Sequence, residues 1–263
     1  MFLACDTLTL GYGARPILQQ FSLSMAPGAL TALLGANGCG KSTLLKAMAG
    51  QLSPQQGQVV LEGKPLASWP VAARARRIAY LPQHPELYAD MTVFDLVRYG
   101  RFPHQSLHQQ WQSEDALAVE TALAQTGLTS LAQQRMQSLS GGQQQRAWIA
   151  LVLAQDTDIL LLDEPINHLD LNHQVEIMDL LHDLRLAGKT VVTVLHDLNL
   201  ASRSADHLVL LHQGGILCQG VAEQVLQAGY IEQAYGQPVS VMTDPVYQRP
   251  LVIPRGRHVP VAA

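Results

Sequence analysis

The chain has 263 residues, a formal net charge of −4, and 48% hydrophobic against 14% charged residues, an ordinary globular composition with room for a full core and an insertion. That charge speaks against a nucleic-acid groove, and three widely spaced cysteines, Cys5, Cys39 and Cys218, speak against a disulfide framework or metal site, so a reducing compartment is expected. The opening residues lack a basic segment followed by a long apolar core, and no apolar run approaches the ~18 residues that cross a bilayer. The expectation is a soluble cytoplasmic chain that meets a membrane only through a partner.

Residues 1–30 read as β-rich. Leu8 and Leu10 alternate with Thr7 and Thr9, a break follows at 11–13, and a second alternating run spans 17–25 before the Pro27-Gly28 turn. Tyr12 falls in the break, where its ring suits packing and base stacking equally. Residues 30–34 are an apolar run, a buried strand. Next come Gly35, Ala36, Asn37, Gly38, Cys39, Gly40, Lys41, Ser42 and Thr43, the pattern G-x-x-x-x-G-K-[ST]. Leu44, Leu45 and Met48 then share a helix face, with Gly50 as a stop. Strand, glycine loop and helix together set this apart from a chance glycine-rich turn. The loop's amides cradle phosphate oxygens, the helix dipole adds to them, Lys41 reaches the terminal phosphates and the Ser42 hydroxyl ligates Mg²⁺.

Residues 58–61 with the Glu62-Gly63 turn read as a strand and hairpin, and the arginines of 74–77 as solvated surface. A strand at 78–81 ends at Pro82-Gln83. Residues 86–157 turn helical: Thr92 caps a helix with Val93, Leu96 and Val97, and 115–125 is a second helix. Ser140, Gly141 and Gly142 precede a third, which makes a potential anion site, although a plain N-cap is the better reading of those residues alone. Residues 159–162 are a buried strand that delivers Asp163 and Glu164. Adjacent carboxylates there need a cation or partner; beside a phosphate loop the first holds Mg²⁺ and the second polarises an attacking water. A polar loop, 167–170, leads to a helix with Ile177, Leu180, Leu181 and Leu184 on one face. The strand 190–195 ends at His196, where ligands bind in open α/β sheets. A hairpin at 208–219, short helices at 221–228 and 231–235, and a proline-rich tail without periodicity or evident chemistry complete the chain.

In this order the motifs resemble the ATPase subunits of ABC transporters over residues 2–235. Residues 35–43 look like Walker A, Gln83 like the Q-loop glutamine, and Leu139, Ser140, Gly141, Gly142 and Gln143 like the signature motif. Residues 159–163 look like Walker B, Glu164 like the catalytic glutamate, 167–170 with Asp170 like the D-loop and His196 like the switch histidine. Tyr12 falls where that family has its base-stacking aromatic, which tips its reading toward nucleotide contact. Stretches such as Tyr80-Leu-Pro-Gln83, Gly100-Arg-Phe-Pro-His104 and Val194-Leu-His-Asp-Leu-Asn199 resemble importers of ferric siderophores, above all the ferric hydroxamate ATPase. Haem and vitamin B12 importers share much of this text. Ile166 departs from the family's usual Thr and removes a hydroxyl beside the D-loop.

The resemblance implies an α/β phosphate-loop NTPase fold: a RecA-like core, an N-terminal antiparallel β subdomain and a helical subdomain inserted at about 86–157, with 236–263 as a tail. It implies ATP and Mg²⁺ as ligands, with Ser42, Gln83 and Asp163 around the metal and Glu164, His196 and Gln83 in catalysis. It also implies a homodimer that clamps each ATP between the loop of one copy and the signature of the other. Integral membrane permease subunits and, indirectly, a periplasmic siderophore-binding protein are the implied partners, at the cytoplasmic face of the inner membrane. Two rivals from other classes are a soluble ABC ATPase acting on ribosomes or DNA and a nucleotide-gated interaction module. One cassette, no heptad run and the charge of −4 count against the first, and intact Glu164 and His196 against the second.

Overall fold

The computed structural model describes residues 2–13, 15–83, 85, 90–105, 111–167 and 169–256. In chain order the elements begin with β1 (Leu3–Tyr12), β2 (Arg15–Met25), β3 (Leu30–Leu34), α1 (Lys41–Met48), β4 (Gln56–Leu61), β5 (Lys64–Pro65), α2 (Val71–Ala75) and β6 (Ile78–Leu81). Three helices follow, α3 (Val93–Arg98), α4 (Ser113–Gln125) and α5 (Gly141–Ala154), then β7 (Ile159–Leu162), α6 (Leu171–Leu186), β8 (Thr190–Val194) and α7 (Leu198–Ser204). The last elements are β9 (His207–His212), β10 (Gly215–Gly220), α8 (Ala222–Val225), α9 (Ala228–Tyr235), β11 (Val239–Thr243) and β12 (Pro250–Pro254).

A six-stranded sheet in the order β10-β9-β3-β8-β7-β6 forms the centre. Its strands run parallel except β10, which returns antiparallel along β9. β3, β7 and β8 are buried along their whole length, which explains why their sequences are almost wholly apolar, with only Thr31, Thr190 and Thr193 between the aliphatic residues: a parallel strand covered on both faces has no polar side to show. Alternation persists between the faces. Leu33 points into the core shared with α1 and with β1, β2 and β4, while Leu30, Ala32 and Leu34 point into the core under α6 and the C-terminal helices.

The second sheet, β2-β1-β4-β5, is antiparallel and roofs α1. β1 continues through the expected break, because Gly11 lies opposite Pro16 and Tyr12 opposite Arg15. A Cβ on Gly11 would collide with the Arg15 carbonyl; the glycine permits close strand approach rather than ending the strand.

The helical region has its own core, built on Val93, Leu96, Val119, Leu123, Met136 and Ala147. Thr92 starts α3 as expected: its hydroxyl accepts the Asp95 amide at 3.0 Å and donates to the Asp95 carboxylate at 2.6 Å. Arg101 pairs with Asp115 at 2.9 Å and donates to the Ala154 carbonyl at 2.8 Å, both side chains being buried. This ties α4 to the end of α5, whose Ile149 and Val152 belong to the core of the central sheet. The segment read as an aperiodic tail is ordered as far as 256: β11 and β12 form an antiparallel hairpin bonded to α7; residues 257–263 lie outside the described residues.

Candidate nucleotide-binding site

The strand order places the C-terminal ends of β3, β6, β7 and β8 side by side, and each delivers one part of the site. After β3, the loop turns into α1 through Gly40 at φ 108°, a left-handed conformation where a Cβ would also press on Ile17 and Leu18. Gly40 carries no side chain to cap the helix, so the first amides of α1 have no such partner. Lys41 is buried and folds back over the loop, its Nζ donating to the carbonyls of Gly35 at 2.7 Å and Ala36 at 3.1 Å.

From α1, the Ser42 hydroxyl donates to Asp163 Oδ1 at 2.9 Å, at the end of β7. Burial pushes the Asp163 carboxyl above its usual range; the Ser42 hydrogen bond opposes this, and the charge of Glu164 adds to the rise. Glu164 itself has φ 55°, uncommon for a residue with a side chain. Its carboxylate receives Gln83 Nε2 at 2.5 Å and lies 2.6 Å from His196 Nε2, with the Asn167 amide as third partner. Gln83 follows β6 and His196 follows β8, so three strand ends converge on one carboxylate.

A cleft of about 640 Å³ opens over these groups, lined by Asn37, Gly38, Gly40, Lys41, Ser42 and Thr43, by Gln83, Glu164 and His196, and by Ile17 and Asn167. Of the last two, the sequence marks Asn167 only as the first residue of the D-loop and Ile17 only as part of a strand. Asn167 stands three residues beyond Glu164, within reach of its carboxylate, whereas Ile17 had no local signal. Asp163 sits below the cleft against Ser42, and Gly35, Ala36 and Cys39 form the back of the loop. Tyr12 is off the cleft lining and 56% exposed.

The expected signature residues lie elsewhere. Ser140 caps α5, its hydroxyl accepting the Gln143 amide at 3.3 Å while Gln143 Oε1 accepts the Ser140 amide at 3.0 Å. A Cβ on Gly142 would come within 2.8 Å of the His173 ring. His173 Nδ1 lies 2.7 Å from Asp170 Oδ1, and Asp170 caps α6 by accepting the His173 amide at 3.0 Å. In the polar loop 167–170, His168 lies outside the described residues.

Sheet, uncapped glycine loop, buried lysine and strand-end Asp–Glu pair define a phosphate-loop nucleoside triphosphatase. The chain belongs to the ABC transporter family, whose model matches residues 18–167; it is an ATP-binding, ATP-hydrolysing member. It is 45% identical to the ferric enterobactin transport ATP-binding protein FepC of Escherichia coli (strain K12), covering 98% of this chain and 96% of that one. It is 40% identical to the iron(3+)-hydroxamate import ATP-binding protein FhuC of Bacillus subtilis (strain 168), covering 95% and 94%. Among solved structures, a transporter described as metal-chelate type, in an inward-facing conformation, superposes with a TM-score of 0.84 at 28% identity over 97% of this chain and 98% of that one. The bacterial ABC transporter cassette MJ0796, solved as a dimer, superposes with a TM-score of 0.75 at 27% identity over 84% and 98%.

Proposed function

We propose that this chain powers an importer of ferric siderophores, as one of two identical ATPase subunits on the cytoplasmic face of an inner-membrane permease. The observation that carries the catalytic half of this reading is the Glu164 carboxylate, held by Gln83 and His196 at the edge of the phosphate-loop cleft. Glu164 is the general base that orients and deprotonates the attacking water. Lys41 meets the terminal phosphates and His196 donates to the γ-phosphate. Tyr12, exposed at the end of β1, is free to stack on the adenine base.

The residues below the cleft fit Mg²⁺. The Ser42 hydroxyl, the Gln83 amide oxygen and the buried Asp163 carboxylate are hard oxygen donors. Among the described residues no group of three His, Cys, Asp or Glu side chains is placed to hold a metal; in phosphate-loop sites Mg²⁺ is bound through one or two protein ligands together with the phosphates. When bound, Mg²⁺ neutralises charge on the phosphate oxygens.

Ser140, Gly141, Gly142 and Gln143 lie off the cleft, which favours a head-to-tail pair: the signature turn of one copy covers the γ-phosphate held by the other, and Asp170 lies in the loop between the copies. ATP then binds the closed pair better than the open one and shifts the population toward closure. Gln83 joins the site to the helical subdomain, taken as residues 86–157 within a single cassette of 2–235; the family resemblance puts the permease's coupling helices in a groove near Gln83 and residues 86–104, of which 86–89 lie outside the described residues. Among the described residues no helix is long and apolar enough to cross a membrane.

The ferric siderophore cargo rests on relatives that serve enterobactin and hydroxamate systems; hydroxamate is the finer reading from sequence. Uptake of ⁵⁵Fe-labelled hydroxamate and catecholate siderophores in a deletion strain, complemented with wild type or Glu164→Gln, tests it. Loss of hydroxamate uptake restored only by wild type supports the reading, loss of catecholate uptake alone moves the cargo, and normal uptake of both defeats it.

A further inference from the structure

The start of the phosphate loop is held from the far end of the chain. The Gly35 amide donates to the Tyr235 hydroxyl at 2.9 Å. Tyr235 is the last residue of α9, where Gly236 at φ 69° ends the helix, and its ring packs against the core beneath the central sheet. Burial pushes its phenol up to about 12, so the hydroxyl accepts the amide as a neutral group.

α9 is braced in its turn. Glu232 accepts the Val239 amide at 3.1 Å and pairs with Arg255 at 3.3 Å. The hairpin is fixed to α7 by Asn199, which donates to the Val252 carbonyl at 3.1 Å and accepts the Val252 amide at 2.7 Å. Ser202 donates to the Pro250 carbonyl at 2.7 Å, and Arg203 meets the Asp244 carboxylate at 2.8 Å. α7 begins two residues after His196, so residues 228–256 touch the loop at one end and the helix behind His196 at the other. A cavity of about 290 Å³, lined by His196, Tyr235 and Val252 among others, separates the two contacts.

We propose that Tyr235 is a positioning residue for the nucleotide site, its hydroxyl fixing the Gly35 amide so that the C-terminal segment sets the geometry, and with it the affinity, of the phosphate loop. This rests on reading residues 35–43 as the triphosphate cradle. Gly35 has φ 138°, and a Cβ on it would collide with the Leu211 carbonyl and Cys39 Sγ. Without the hydroxyl its N–H loses its partner, and the loop gains freedom at its first residue.

Tyr235→Phe removes one oxygen and keeps the packing of the ring. Titration with a fluorescent ATP analogue, steady-state ATPase kinetics, and melting with and without MgATP distinguish the outcomes. Kd and KM are expected to rise about three- to tenfold, with kcat within about twofold and a smaller nucleotide-induced rise in Tm. A lower Tm in nucleotide-free protein with Kd and KM unchanged makes Tyr235 purely structural and overturns the proposal. Lys41→Ala serves as the control: wild-type affinity in that variant removes the cradle assignment, whereas loss of binding there beside an unaffected Tyr235→Phe removes only the role of Tyr235.

Discussion

Helices α1 and α5 both begin in glycine-containing turns, and they differ in what their first amides do. At α1 no side chain caps the helix, and Lys41, Ser42 and Asp163 surround the opening. At α5 the capping box of Ser140 and Gln143 already satisfies two donors, and a Cβ on Gly141 would meet nothing within 4 Å. The first terminus is an anion site built within one subunit. The second is a closed cap on an open surface, with no anion-binding cleft around it. A helix N-terminus becomes a site through its surroundings, and in the proposed head-to-tail pair α5 acquires those from the other copy. Separate loss of function on the two sides is therefore expected.

The largest effect is expected on the α5 side. Asp115→Ala leaves the Arg101 guanidinium buried without its carboxylate, a loss of about 3–5 kcal/mol. Denaturant melting is expected to show a destabilised helical region, while native protein at low temperature still binds ATP; equal loss of ATP affinity would merge the two sides. Burial pushes the Asp115 carboxyl up, but Arg101 and the Gln112 amide outweigh it and hold the group below its ordinary range. Its contribution is thus present above the unfolded value of ~3.9 and disappears as pH falls through the lower folded value. Acid unfolding of Asp115→Asn is expected to lose this component.

On the α1 side, Glu164→Gln is expected to retain ATP binding and slow turnover by roughly 10²-fold or more. Phosphate release at the wild-type rate would strip Glu164 of its role as base. Ser140→Ala removes a cap that contributes ~1 kcal/mol; turnover is expected to fall by more than this modest loss of stability explains, with ATP affinity of the lone subunit unchanged. Reduced affinity in the isolated subunit would place α5 at the cleft of its own chain. Tyr12→Ala has the smallest expected effect, a two- to tenfold weaker Kd for ATP, about what a single aromatic stacking contact supplies, with maximal turnover preserved. Equal affinity would return Tyr12 to a packing role.

The parts legible from sequence were those written locally. β3, β7 and β8 announce themselves as apolar runs because both faces are covered, and α6 through the spacing of Ile177, Leu181 and Leu184. Lys41, Ser42, Asp163, Glu164 and His196 were legible because each follows directly on a strand or loop signal. The hairpin β11–β12 was not, because much of what holds it comes from Asn199, Ser202 and Arg203, roughly fifty residues earlier. The Tyr235 hydroxyl bridges 200 residues to Gly35, a distance over which no periodicity speaks. Gly11 misled for the opposite reason: glycine marks both chain breaks and close strand contacts, and only the register with Pro16 distinguishes them.

The missing side chain at Gly142 has a mechanical consequence. The His173 ring stands within 2.8 Å of where a β-carbon would be, and the same ring meets Asp170, so the start of α5 and the turn ahead of α6 fit against each other through one side chain. An alanine at 142 therefore registers in two motifs at once, and its damage is expected to be eased by a smaller residue at 173, a suppressor pattern that no change at Gly141 should show.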